Sequence, residues 1–196
     1  MKKASNVRLK EHILTHENIV DPKDCDFIVK SLNKINLWKP TTVTNGTEEF
    51  EDTDYRDCKA TNVSKLIDDP SCGSLMKEID DILFKSVSII LADYNVHFGC
   101  GLSKDTGYEV LRYDIGNKFR IHTDDSMNFP RTISLSISLN DDYEGGEWAF
   151  WGGEHGLRPK KGTIVTFPSN YLFPHEIKPI TKGSRYSMIT LSLIHI

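Results

Sequence analysis

Tyr113-Asp-Ile-Gly-Asn-Lys-Phe-Arg-Ile-His-Thr-Asp124 reads as a short strand that ends on two chemically active side chains. A strand repeats every second residue, so His122 and Asp124 are expected to leave the same face and to grip one ion together. A third ligand has to come from elsewhere. His175 is the candidate, because it follows the apolar run Thr163-Ile-Val-Thr-Phe167 and precedes Ile177 at the edge of a second strand region. Two histidines and one carboxylate on a rigid β scaffold make the facial triad that suits non-haem Fe(II). Taken alone, His-x-Asp is a weak signal, since such pairs are common on solvated strands. A structural zinc site is disfavoured by the lack of cysteine clusters, and no calcium-loop pattern is present.

The 196 residues, 38% of them hydrophobic, suit one domain with one core. With 24 basic and 28 acidic residues the formal charge is -4, which supplies no global attraction for a polyanion. Nucleic acid as a partner would therefore need a local basic patch. Lys2, Lys3, Arg8 and Lys10 are not followed by a continuous apolar run, so no signal peptide is expected. No uncharged apolar stretch approaches the ~20 residues of a membrane span. Cys25, Cys58, Cys72 and Cys100 lie too far apart for a Cys-x-x-Cys pair and read as free thiols in a reducing, cytoplasmic compartment. Asn45-Gly-Thr and Asn62-Val-Ser are read as chance matches to the glycosylation pattern.

Working outward, Ile13, Leu14, Ile19 and Val20 suggest an edge strand within residues 11–20. Asp21 is the expected N-cap of a helix with Pro22 in its first turn and Phe27, Ile28, Leu32 and Ile35 on its apolar side. Residues 39–62 are poor in aliphatics, carry the turn signal Asn45-Gly46, and read as a long surface excursion. Two readings of it stay open: a solvated loop, or a mobile substrate-facing loop whose useful contacts would be Tyr55 and Arg56. Leu75, Ile79, Ile82, Leu83, Val87, Ile90, Leu91 and Tyr94 recur at three and four and predict a helix from Ser74 to about Tyr94. The period then changes to two. Thr132-Ile-Ser-Leu-Ser-Ile-Ser-Leu139 alternates aliphatics with small hydroxyls, and the hydroxyl face can border a polar cavity. Strands are expected again at 147–151, 163–167, 171–177 and 186–196. Helices first and many short strands afterwards predict a mainly β fold with N-terminal α-helices, a closed antiparallel double sheet with helical buttressing.

Arg185 raises the value of the histidines. It stands ten residues after His175, separated by Pro179, Thr181, Lys182 and Gly183, which reads as a hairpin returning the next strand beside the histidine. An arginine aimed into a β cavity needs an anionic partner, and its planar fork suits a carboxylate. Ser187, two residues on, shares its strand face, and Tyr113 is expected to reach the same carboxylate from across the pocket.

The spaced set resembles the Fe(II)- and 2-oxoglutarate-dependent dioxygenases. It comprises Tyr113, Gly116, His122-Thr-Asp124, Leu139-Asn140, Glu144-Gly-Gly-Glu147, Gly162-Thr-Ile-Val-Thr-Phe-Pro168, His175 and Thr181-Lys-Gly-Ser-Arg185. Within them it is most similar to the prolyl 4-hydroxylase-like branch, including small bacterial and phage members, over roughly residues 108–195. The resemblance implies a double-stranded β-helix (jelly roll, cupin-like) at 108–195, with 1–100 as helical support and loop in one domain spanning 1–196. It implies Fe(II) held by His122, Asp124 and His175, the far carboxylate of 2-oxoglutarate held by Arg185, and Tyr113 and Ser187 lining that pocket. O2 is the further cosubstrate, and there is room for ascorbate. The implied reaction hydroxylates an unactivated C–H bond with formation of succinate and CO2, most readily of a prolyl residue in a peptide or protein, in a bacterial or phage-infected cell. Some relatives place a tyrosine near the position of Ser138, so that wall of the pocket differs here. A free amino-acid hydroxylase, a nucleic-acid oxidative demethylase and a non-catalytic β-domain binding module are the alternatives, because the cosubstrate machinery says little about the group being oxidised.

Further out, Asn117, Thr123 and Thr190 are candidates for orienting ligands or cosubstrate. Trp148, Phe150 and Trp151 are read as core packing before peptide groove. Arg131 is a candidate substrate contact. His12, His16, His97, His155 and His195 are read as ordinary histidines.

Overall fold

The computed structural model describes residues 8–44, 47–125 and 131–194; the Asn45-Gly46 turn and His195 lie outside them. In chain order the strands are β1 (Leu14–His16), β2 (Lys39–Pro40), β3 (Val43–Thr44), β4 (Glu49–Phe50), β5 (Arg56–Asp57), β6 (Lys59–Asn62), β7 (Leu102–Asp105), β8 (Glu109–Tyr113), β9 (Lys118–His122), β10 (Ile133–Ser138), β11 (Glu144–Gly145), β12 (Trp148–Phe150), β13 (His155–Leu157), β14 (Ile164–Pro168), β15 (His175–Ile177), β16 (Ile180–Lys182) and β17 (Arg185–Ile194). The two α-helices are α1 (Pro22–Ile35) and α2 (Gly73–Phe98).

Helix α1 begins where the sequence says it should. The Asp21 carboxylate accepts the Lys23 N–H at 2.8 Å, and Pro22 occupies the first turn, where no N–H is needed. It stops at Asn36, which turns left-handed at φ 54 and returns its N–H to the Leu32 carbonyl. Cys25, Ile28 and Leu32 form its buried side. Helix α2 runs further than its apolar period at both ends. It starts at Gly73, where an added Cβ would lie 2.2 Å from the Ile67 carbonyl oxygen, and closes at Gly99 in the left-handed region.

Among the described residues the strands form a larger antiparallel sheet in the order β1-β14-β10-β17-β8-β6-β2, with β7 also on β17, and a smaller one in the order β13-β12-β15-β9-β5. Alternation along β10 explains the layering. Leu135 and Ile137 join Met76, Ile79 and Leu83 of α2 and Ile28 and Leu32 of α1 in one core on the outer face of the larger sheet. The second core lies between the sheets, where Leu111, Tyr113, Val165 and Phe167 of the larger meet Trp148, Phe150 and Ile177 of the smaller. Phe150 and Phe167 are buried there, each contributing roughly 1.5–3 kcal/mol by removal from water. The site lies between the sheets at the end of this core.

Three local expectations change. Residues 39–62 are not a loop outside the sheets: β2 and β6 extend the larger sheet from β8 and β5 pairs with β9 in the smaller, so the excursion supplies strands to both. Its strands are too short and polar to show a period. Second, no hairpin joins His175 to Arg185. β15 belongs to the smaller sheet and β17 to the larger, and the intervening β16 pairs with β11, so the chain crosses from one sheet to the other. Third, of the strand expected at 171–177 only His175–Ile177 is extended, Tyr171 and Leu172 forming a turn. Among the described residues no helix is long and apolar enough to cross a membrane.

Candidate metal centre

β9 and β15 are antiparallel neighbours whose register sets His122 directly opposite His175, with ring centroids 4.3 Å apart. Each ring is held by its own backbone. His122 Nδ1 lies 2.8 Å from the Arg120 carbonyl and His175 Nδ1 lies 3.0 Å from the Phe173 carbonyl. A carbonyl only accepts, so both Nδ1 atoms carry the proton and both Nε2 atoms present lone pairs. Those lone pairs face Asp124, with His122 Nε2 3.5 Å from Oδ1 and His175 Nε2 3.7 Å from Oδ2. His122, Asp124 and His175 offer ligand atoms all within 4.8 Å of one another.

Asp124 does not sit on the strand with His122. β9 stops at the histidine, and the carboxylate is delivered by a bend two residues on. That bend is fixed by residues after it. Arg131 Nη1 donates to the Asp124 carbonyl at 2.8 Å, and Ser134 Oγ donates to Asp124 Oδ2 at 2.5 Å. Burial works against ionisation of Asp124, but the neighbouring His175 and His122 imidazoles and the Ser134 hydroxyl outweigh it and hold the carboxyl well below its ordinary range. Burial pushes His175 down to about 4, against the opposing pull of Asp124. A neutral imidazole and an ionised carboxylate are the forms that bind a metal. Two imidazole nitrogens and one carboxylate converging within 4.8 Å can share a single cation. The donor set therefore fits Fe(II).

The opposite wall is cationic. Arg185 is 2% exposed, lies in register with Tyr113 on the neighbouring β8, and has its guanidinium 5.3 Å from the Tyr113 ring centroid and 5.8 Å from that of Trp148. Its Nη1 donates to Ser187 Oγ at 2.9 Å, while its Nη2 is buried without a hydrogen-bond partner among the described residues. Tyr113 is thus beside Arg185 rather than across the pocket from it. Burial, then the Cys58 thiol, raise the Tyr113 phenol well above its ordinary value, so it stays a neutral donor. Metal triad, Arg185, Ser187 and Tyr113 all line one cavity of about 600 Å³. A buried guanidinium with an uncommitted donor at the wall of that cavity fits a small dicarboxylate.

A family comparison matches residues 108–191 to the 2OG-Fe(II) oxygenase superfamily. The match takes in 84 of the 196 residues, Tyr113, Arg185 and all three candidate metal ligands among them. Its likeness to PKHD-type hydroxylases is 44% identity over 86 residues with one from Idiomarina loihiensis, covering 41% of this chain and 38% of that one. With one from Methylobacterium nodulans it is 34% over 88 residues, covering 39% and 38%. The matched segment thus spans well under half the length of these relatives. In fold, the chain is similar to a Trichoplax adhaerens prolyl hydroxylase solved with a hypoxia inducible factor peptide fragment, at TM-score 0.76 and 16% identity over 93% of this chain and 83% of that one. A Pseudomonas putida prolyl-4-hydroxylase aligns at TM-score 0.65 and 16% identity over 94% of each chain. For a 2OG-Fe(II) oxygenase the cofactor set is Fe(II), 2-oxoglutarate and O2.

Around this centre lie further residues that the sequence leaves open or does not single out. Tyr55 and Arg56 line the cavity, Tyr55 with its ring edge on Phe119 and its hydroxyl donating to the Ile121 carbonyl at 3.2 Å, Arg56 with its guanidinium 4.9 Å from the Phe119 centroid. Phe119 stacks on His122 at 3.5 Å. Thr123 also lines the cavity. Asn117 instead ties the β8–β9 turn to β5 by donating to Asp57 at 2.6 Å, whereas Thr190 lines the cavity with its buried hydroxyl unpartnered among the described residues. Trp148 and Phe150 are buried in the core, as read, and Trp151 packs against its edge. Arg131 braces Asp124 as well as lining the cavity. Ser134 was one of several equivalent hydroxyls in the alternating run; only the register of β10 against the bend singles it out.

Proposed function

We propose that this chain is an Fe(II)- and 2-oxoglutarate-dependent dioxygenase that hydroxylates a prolyl residue in a peptide or protein, releasing succinate and CO2. Its β portion is read as a double-stranded β-helix at 108–195, supported by 1–100 within one working unit. The observation that carries the reading is the pairing of two walls on one cavity: a metal-ready His122–Asp124–His175 set, and a buried Arg185 with a donor left over.

When bound, iron and 2-oxoglutarate together supply the O2 activation that converts C–H into C–OH. The protein's part is orientation and exclusion of water. His122 Nε2, Asp124 and His175 Nε2 would hold the metal. Arg185 pairs with the far carboxylate of 2-oxoglutarate, Ser187 steadies the guanidinium through Nη1, and the neutral Tyr113 phenol flanks it. Phe167, Trp148 and Ile177 keep the pocket wall apolar behind the ligands. The prolyl assignment draws on the likeness to PKHD-type and prolyl hydroxylases.

Anaerobic loading with Fe(II) and 2-oxoglutarate, followed by O2 and a panel of prolyl peptides, free amino acids and methylated oligonucleotides, tests the proposal. The expected result is succinate formation that depends on a prolyl peptide, with gain of one oxygen atom by that peptide. Asp124→Ala should abolish both. Coupled oxidation of a free amino acid or an oligonucleotide alone would replace the prolyl reading; no 2-oxoglutarate turnover with any substrate, or without one, would remove the enzyme reading.

A further inference from the structure

Asp124 is the ligand that the secondary structure does not position. The histidines are fixed by strand register and by their own backbone carbonyls, whereas the carboxylate stands on a bend. What fixes it is a chain of hydroxyls. Ser134 Oγ lies 2.5 Å from Asp124 Oδ2 and 2.9 Å from Ser169 Oγ. Ser134 and Ser169 are 3% and 1% exposed.

Proton counting orients the chain. An ionised carboxylate only accepts, so the single Ser134 hydroxyl proton goes to Oδ2. The contact between the hydroxyls then has one solution: Ser169 donates and Ser134 accepts. Ser169 is itself anchored at both backbone atoms, its N–H to the Thr132 carbonyl at 3.0 Å and its carbonyl to the Asp125 N–H at 3.0 Å. Residue 169 therefore grips the bend twice, through the backbone next to Asp124 and through the hydroxyl chain to its side chain. The hydroxyl chain thus ends on Oδ2, while Oδ1 lies 3.5 Å from His122 Nε2.

We infer that Ser134, oriented by Ser169, is a positioning residue that holds Asp124 as a single-oxygen ligand of the metal. The inference rests on the proposed triad and says how it keeps its open positions: a carboxylate free to rotate would chelate through both oxygens and take up a position that cosubstrate needs.

Calorimetric titration of the metal-free protein with Mn(II), together with the EPR spectrum of the Mn(II) form, tests this without turnover. Ser134→Ala should weaken Mn(II) binding by about tenfold to a hundredfold and alter the Mn(II) signal. Ser134→Thr, which keeps the hydroxyl, should restore both, and Ser169→Ala should weaken binding severalfold. Ser136→Ala removes a buried hydroxyl from the same strand face and should leave Mn(II) affinity unchanged. Wild-type affinity and spectrum in a folded Ser134→Ala protein would overturn the inference, as would equal losses in Ser134→Ala and Ser136→Ala. Asp124→Ala separates the levels: if it abolishes binding while Ser134→Ala does not, the hydroxyl chain fails and the metal site stands; if wild type and Asp124→Ala bind Mn(II) alike, the metal site fails and takes the chain with it.

Discussion

The two walls of the cavity are built on opposite electrostatic plans. On the smaller sheet both Nδ1 atoms are committed to backbone carbonyls, and the two Nε2 atoms converge on the Asp124 carboxylate as a donor set for a cation. On the larger sheet the fixed charge is itself the cation, Arg185, with Nη1 committed to Ser187 and Nη2 uncommitted. Each wall is incomplete in the sense that the other's ligand would satisfy: iron for one, a carboxylate for the other. A site that is preorganised in this way keeps its binding groups poised at some cost to the ligand-free fold.

The largest effect should come from removing the cation. Arg185→Met keeps volume and apolar packing between Tyr113 and Trp148 while deleting the charge. 2-Oxoglutarate affinity should fall by about a hundredfold or more, as for the loss of one partner of a desolvated charge pair. The ligand-free protein should hold its melting temperature or gain, because an incompletely satisfied buried charge is gone. A marked loss of ligand-free stability together with unchanged 2-oxoglutarate binding would break the contrast between the walls, making Arg185 a structural residue.

On the metal wall the contrast sharpens with pH. His175 lies near 4 in the folded chain against its ordinary 6.5, so between these values the unfolded chain binds more protons than the folded one. Stability of the metal-free protein should rise with pH through that window and be lost as the solution is acidified from about 6.5 toward 4. Asp124, held below its ordinary range, keeps its contribution through the same window and loses it only at lower pH. Burial lowers His16 as well and adds to the slope. Urea unfolding at a series of pH values should therefore show a shallower, not absent, dependence in His175→Gln. An unchanged slope would mean that His175 is not the neutral buried imidazole described.

Much of this was legible before any coordinates. The caps of α1, the period of α2 and the alternation in Thr132–Leu139 are local patterns, and each dictates its own element. The metal candidates and Arg185 were legible because their chemistry is scarce and their spacing regular. What failed was everything that depends on which strand lies beside which. Pro179, Thr181, Lys182 and Gly183 predict a hairpin from His175 to Arg185, yet Ile180–Lys182 is a strand on β11 and Gly183 bends the chain into β17 on the other sheet. Tyr113 was placed across the pocket because nothing local reveals that β8 and β17 are neighbours. The excursion at 39–62 was read as a loop because strands such as Arg56–Asp57 are too short to carry a period, and their stability comes from partners distant in sequence.

That excursion supplies the smallest effect, and one that decides what its contact with the metal wall is for. Tyr55 accepts the Arg120 N–H on its carbonyl at 2.8 Å, donates its hydroxyl to the Ile121 carbonyl, and rests its ring edge on the Phe119 ring that stacks against His122. Tyr55→Phe removes one partly exposed neutral hydrogen bond and leaves both ring contacts and the backbone bond in place. It should cost roughly 0.5–1 kcal/mol in urea unfolding and change Mn(II) affinity less than twofold. Tyr55→Ala also removes the ring edge and should cost more in stability, with metal affinity falling as Phe119 loosens over His122. If the phenylalanine variant alone weakened Mn(II) binding tenfold, the hydroxyl rather than the ring would be what steadies β9, and the excursion would belong to the metal wall as directly as Ser134 does.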